Sequence, residues 1–217
     1  MTEPAATTGR SSVTTAWVWG GGLLIVSALI PTALQGVYEP IIARLGFWLS
    51  VLAFAAAMLL FAFGWRGVGA VSGTQRYGAV ALIVVGLWPV VWAVVGAVAP
   101  PEVWLEPAFS TSVRYADLLV PLAAAIIAVV AIWRGEVVPR PWNRAPAWAL
   151  VALASVSALV QIIAIATQSQ DQVTLILLGQ VSGLISFVVP VGLGILAIVL
   201  GLRLDPRPPV AVYPPAE

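Results

Sequence analysis

Three observations predict an all-α membrane protein, a bundle of six transmembrane helices. Of the 217 residues, 61% are hydrophobic and 9% charged, with a mean hydropathy of +1.02; soluble domains are far more polar. The apolar residues gather into six uncharged runs, each long enough to span a bilayer. Arginine gathers at alternate breaks between those runs.

Crossing about 30 Å of hydrocarbon takes about 20 helical residues, since lipid offers no partner to a backbone N–H or C=O. The runs are 16–35, 45–65, 78–99, 116–133, 147–168 and 173–202. The first is read as a retained span rather than a cleaved leader: it is long, only Arg10 precedes it, and PTALQGVYEP after it has no small-x-small site. The fourth is the shortest and opens at Asp117. The sixth is so long that it must tilt, bend or begin outside the bilayer. Residues 1–15 are expected to be a disordered cytoplasmic N-terminus, 16–203 the six-helix transmembrane domain, and 204–217 (LDPRPPVAVYPPAE) a disordered, proline-rich cytoplasmic tail.

Arginine placement predicts the orientation. With the N-terminus in the cytoplasm, Arg10, Arg66, Arg76, Arg134, Arg140, Arg144, Arg203 and Arg207 lie inside, and only Arg44 and Arg114 lie outside. Both termini are therefore expected on the cytoplasmic face of a cell membrane. All ten basic residues are Arg, and the chain is rich in Ala and Val, a usage that points to a high-GC bacterial genome and a bacterial inner membrane.

The chain also echoes itself. Trp65-Arg66-Gly67 and Trp133-Arg134-Gly135 close two inward-going runs 68 residues apart, and Gly201-Leu202-Arg203 closes the last. Glu39-Pro40 and Glu106-Pro107 recur on the other side. Two readings fit: three tandem helical hairpins, roughly 16–66, 77–134 and 146–203, related by an axis along the membrane normal, or independent choice of interfacial Trp, cytoplasmic Arg and helix-ending Gly at each inward terminus.

Several chemistries are excluded outright. Without Cys there is no disulfide, thiolate metal site or thiol redox chemistry. Without His the commonest metal ligand and the usual proton switch near neutral pH are gone; without Lys there is no Schiff base. A formal charge of +1 gives no electrostatic footing for nucleic acid. No cofactor, metal site or enzymatic role is expected, and the carboxylates Glu39, Glu106 and Asp117 are read as solvated groups near the outer ends of the runs.

Candidate residues fall into two groups. Gly179, Gly183, Ser186 and Gly194 lie three, four or eight residues apart along one stripe of the sixth helix, where another helix can approach closely. Trp88 and Trp92, one turn apart around Pro89, together with Gln161 and Gln180, are the mid-membrane polar or aromatic groups that could line a ligand pocket. The two carboxamides are expected to point into the bundle, because facing lipid would leave them unsatisfied. Interhelical hydrogen bonding is the competing reading for the carboxamides, and core filling for the indoles.

Beside a membrane enzyme built on the outer carboxylates, two kinds of function remain. One is a non-enzymatic bundle acting as an interaction or accessory subunit, whose partners are the lipid bilayer and another membrane protein. The other is a small transporter or flippase for an uncharged or lipidic solute; every charge lies at or outside a span end, which counts against ion-driven pumping. The topology has a direct check. Cysteine replacing Arg140 is expected to react with an impermeant maleimide only from the cytoplasm and cysteine replacing Glu106 only from outside, and the reverse pattern would invert the orientation.

Overall fold

The structure, a computed structural model, describes residues 5–65, 70–71, 75–100, 102, 106–135, 138, 142–166 and 172–203. Its regular elements are all helical: α1 (Ala5–Ala33), α2 (Pro40–Phe63), α3 (Arg76–Val98), α4 (Pro107–Arg134), a 3-10 turn (Trp142–Arg144), α5 (Ala145–Ala166) and α6 (Gln172–Arg203). Six stretches are long and apolar enough to cross a membrane: Val13–Ala33, Pro40–Phe63, Arg76–Val98, Tyr115–Arg134, Trp142–Val160 and Gly179–Arg203.

Helix starts differ from the expected ones for local reasons. α1 begins at Ala5, taking in most of the stretch expected as a disordered tail, although its Ser, Thr and Gly residues are weak helix formers. The proline-rich tail after Arg203 lies outside the described residues. α2 and α4 both begin earlier than their apolar runs, at Pro40 and Pro107, with Glu39 and Glu106 extended in the capping position (φ −73°, ψ 113° and φ −74°, ψ 117°). Proline at the first helical position needs no N–H partner and is preset in φ, and the carboxylate stands where the helix dipole favours negative charge. The recurring Glu-Pro is thus one helix-starting device used twice.

Helices that follow one another in the chain pack side by side, and α1 also packs against α6, so the six close into a ring whose weakest seam is between α4 and α5. α3 and α6 do not touch, nor do α2 and α6. The first and last helices come together through glycine. A methyl group built on Gly194 would lie 2.7 Å from the Gly21 carbonyl oxygen and 2.6 Å from Ile25, and one on Gly201 would lie 2.7 Å from the Trp17 Cβ. Gly86 does the same between α2 and α3, where an added methyl would meet the Met58 Cβ at 2.6 Å. By contrast, open space surrounds Gly179 and Gly183, and Ser186 is exposed. Of the expected packing stripe, close helix contact is thus found at Gly194.

Burial is concentrated at the end of the ring that carries the starts of α1 and α3 and the ends of α2, α4 and α6. Ala16, Trp17, Ile132, Ala197 and Leu200 form one cluster there with two loop residues, Val71 and Val138. Ala62, Ala81, Leu82 and Ala128 form a second. Trp17 is only 3% exposed, and Gly201 leaves room for it against α6. Val71 returns to the end of α2, where its N–H donates to the Phe61 carbonyl at 2.9 Å, satisfying one of the acceptors a helix end leaves open.

Four helices contain an interior proline: Pro31, Pro89, Pro121 and Pro190. Each removes the hydrogen bond to the carbonyl four residues earlier. For Pro31 that carbonyl belongs to Ser27, and the Ser50 hydroxyl of α2 donates to it at 2.7 Å. A defect in one helix becomes a bond between two, as membrane helices require.

The unequal glycines give a clear expectation. Gly194→Ala must push against backbone and should destabilise the protein by about 1–3 kcal/mol. Gly183→Ala meets nothing and should be neutral or stabilising by up to about 1 kcal/mol. Thermal unfolding of the two variants in detergent decides it; equal melting temperatures would remove the α1–α6 contact from its assigned role.

Candidate functional site

α3 and α6 lie across the ring from each other, so any space that both line is interior. Two such spaces exist, stacked one above the other. The lower, at the end rich in buried residues, has a volume of about 140 Å³ and takes lining side chains from all six helices. Leu24, Met58, Leu82, Ile132, Pro146 and Leu193 represent α1 to α6 in turn. Val71 and Val138, 8% and 6% exposed, are the loop residues that floor it. Its wall is carbon, apart from the indoles of Trp17 and Trp142.

This lower cavity shares Trp142, Leu193, Leu196 and Leu200 with a groove of about 440 Å³ between α5 and α6. Small residues leave the groove unfilled: Ala145 and Ala149, one turn apart on α5, and Gly192 on α6 line it. Arg203 stands at its lower end. The cavity and the groove are therefore neighbours, walled from each other by those four side chains.

The upper cavity has about 430 Å³ and a different wall. Three of the interior prolines, Pro31, Pro89 and Pro190, converge on it from α1, α3 and α6. Its polar groups are Ser27, Thr32, Gln35, Ser50 and Ser186. Three of the hydroxyls have their hydrogens committed: Ser27 donates to the Leu24 carbonyl at 2.7 Å, Thr32 to the Ala28 carbonyl at 3.2 Å, and Ser50 to the Ser27 carbonyl at 2.7 Å. What they offer to the cavity is acceptor lone pairs. The two cavities are one turn apart along each helix: Ser27 above Leu24, Phe54 above Met58, Pro190 above Leu193.

The four residues expected to line a pocket are not brought together. Trp88 and Trp92 stack edge to face, with ring centroids 5.8 Å apart and planes at 82°. The Trp88 indole N–H donates to Asp117 Oδ1 on α4 at 2.9 Å, which turns it along the α3–α4 seam. Gln161 is in α5, its side chain outside the described residues. Gln180 is exposed instead of facing inward. Neither α5 nor α6 packs on α3.

Sequence reasoning missed three features. Ser27 and Ser50 gave a weak signal, a Ser four residues before Pro31 and another within an apolar run. The Trp88–Asp117 bond gave none, since tryptophan and aspartate lie 29 positions apart on different helices. Asn143, 5% exposed in the turn before α5, is a buried amide whose Oδ1 has no hydrogen-bond partner among the described residues. Among the described residues no cluster of acidic side chains is able to hold a metal ion.

Comparison with known proteins finds no matching family model, no matching curated relative and no matching solved structure. The geometry alone carries the functional reading.

The α3–α4 bond has its own test. Trp88→Phe and Asp117→Leu are each expected to lower the stability in detergent by about 1 kcal/mol, and the double variant to lose less than the sum. Strictly additive losses would mean that the two side chains act independently.

Proposed function

We propose that this protein is a non-enzymatic, multi-pass membrane protein that takes an uncharged or lipidic solute from the bilayer into its helical ring, as a small transporter or flippase does. One observation carries the reading: the apolar cavity lined from all six helices and adjoining the α5–α6 groove across Trp142, Leu193, Leu196 and Leu200.

Water is a poor occupant of such a space, because each molecule needs two to four polar partners. Vacuum is a costly one: at roughly 24 cal/mol per Å³, every 100 Å³ left empty costs about 2.4 kcal/mol. A hydrocarbon chain loses nothing there and restores the missing dispersion contacts. The groove brings such a chain to the side of the cavity without crossing a polar surface.

Catalysis has little to stand on. Glu39 and Glu106 are exposed at helix starts, and Asp117 accepts the Trp88 N–H. The arginine distribution supports a cell-membrane orientation with both termini in the cytoplasm, which puts the lower cavity and Arg203 at the inner leaflet.

A second reading, an interaction or accessory subunit bound to another membrane protein, is favoured by α5. That helix packs on α6 and hardly on α4, and Trp148 and Ile162 are 70% and 63% exposed. A partner seated on α5 would cover the weak seam of the ring.

Leu193 lines both the cavity and the groove, so enlarging it blocks both. Native mass spectrometry of the purified protein is expected to show co-purified lipid on the parent chain and roughly tenfold less on Leu193→Trp with helicity unchanged. A parent chain that carries no lipid, or a variant that carries as much, would overturn the reading.

A further inference from the structure

We infer that the groove between α5 and α6 holds one anionic phospholipid, with an acyl chain laid along α6 and its phosphate at Arg203. This goes beyond uptake into the ring, because such a lipid stays outside the wall of Trp142, Leu193, Leu196 and Leu200.

Along α6 the groove runs from Gly192 to Arg203, a length of about 16 Å at 1.5 Å per helical residue. Half the hydrocarbon thickness of a bilayer is about 15 Å. The groove therefore reaches from one surface of the membrane to its middle, which is the depth of a single leaflet. Its surface end is marked twice: Arg203 lies in the last turn of α6, and Trp142, in the turn before α5, is a residue of the kind that settles among headgroups. Further in, Ala145, Ala149 and Gly192 have too little side chain to fill the space they line. A lipid chain fills it.

Charge selects the head. Every lining residue except Arg203 is uncharged, and a hydrocarbon chain is as well solvated by bilayer lipid as by leucine, so the rest of the groove prefers no lipid over another. Arg203 does. Its side chain is exposed, and the planar guanidinium fork matches two phosphate oxygens at once. Arg144 stands between two lining residues, Trp142 and Ala145, and is exposed as well. Among the described residues, the carboxylates Glu39, Glu102, Glu106 and Asp117 all lie toward the opposite end of the ring, and none of them is placed to neutralise these arginines. A lipid of net negative charge supplies what this end lacks; a zwitterionic head brings a cation of its own and gains less. On the orientation proposed above, the site opens to the inner leaflet.

Dioleoylphosphatidylglycerol and dioleoylphosphatidylcholine share their chains and differ in net charge. Each is titrated into the full-length protein in detergent, and the first bound lipid is read by native mass spectrometry. An arginine at a membrane surface is worth roughly a fivefold preference for anionic lipid, so with two of them the phosphatidylglycerol is expected to bind roughly tenfold or more tightly. Arg203→Gln should cut that preference about fivefold. Arg76→Gln, at the same end but on α3, which packs on neither helix of the groove, should leave it unchanged. A side chain at Gly192 meets nothing within 4 Å, so Gly192→Leu fills the groove without disturbing packing and should weaken both lipids. Equal affinity for the two lipids, or a preference that survives Arg203→Gln, overturns the head assignment. So does an equal loss with Arg76→Gln, which would mark a general field of the arginine-rich end. Gly192 lines the groove and not the ring cavity. Lipid that persists on Gly192→Leu and is lost on Leu193→Trp therefore belongs to the cavity, a result that overturns the groove site while uptake into the ring stands.

Discussion

Between α1 and α6 the backbones approach so closely that a methyl group on Gly21 would lie 2.5 Å from the Gly194 carbonyl oxygen. Everything above this contact depends on it. Helices in lipid gain nothing from burying apolar surface against one another, so association comes from close packing and from polar bonds. Glycine supplies the first at Gly21, Gly86, Gly194 and Gly201, and Ser50 supplies the second by donating to the Ser27 carbonyl. Because α1 is held by both α2 and α6, the chain closes on itself and encloses an interior. If α6 were released, the same six helices would form an open palisade with no space that α3 and α6 share.

Closure also explains the uneven stability of the ring. The contacts of α1 with α2 and α6 are tight and buried, while α5 is held chiefly by α6. Ala145, Ala149 and Gly192, small residues on α5 and α6, leave the groove between the two helices unfilled. The loose wall is thus the one that carries the groove, and the firm wall is the one opposite. Elements that move or admit ligands are drawn from the less stable part of a fold.

Hydropathy made the number of spans legible, because a bilayer demands about 20 apolar residues per crossing whatever the tertiary fold. Local chemistry made the starts of α2 and α4 legible in principle: Glu39-Pro40 and Glu106-Pro107 are helix-start signals, first noticed only as a repeat. The choice of neighbours was not legible. A glycine stripe marks a surface that permits close approach but does not name what approaches, so Gly194 meets α1 while Gly183, on the same helix, borders a cavity. Trp88 and Gln180 failed to meet for a related reason. Sequence shows which residues lie at mid-membrane or interface depth, but the order of helices round a ring decides which of them share a space, and α3 and α6 are opposite.

The prolines link the fold to its interior. In a soluble helix each would be a defect; here Pro31, Pro89 and Pro190 all border the upper cavity, where a freed carbonyl is of use. A carbonyl without its N–H must find a donor from a neighbouring helix, from water or from a ligand. Ser50 takes the first course for Ser27. That choice commits the Ser50 hydrogen, as those of Ser27 and Thr32 are committed to carbonyls of α1 itself. The bond that ties α1 to α2 is therefore also part of the wall of the upper space, and the proline that would weaken a lone helix is what gives the pair its polar contact.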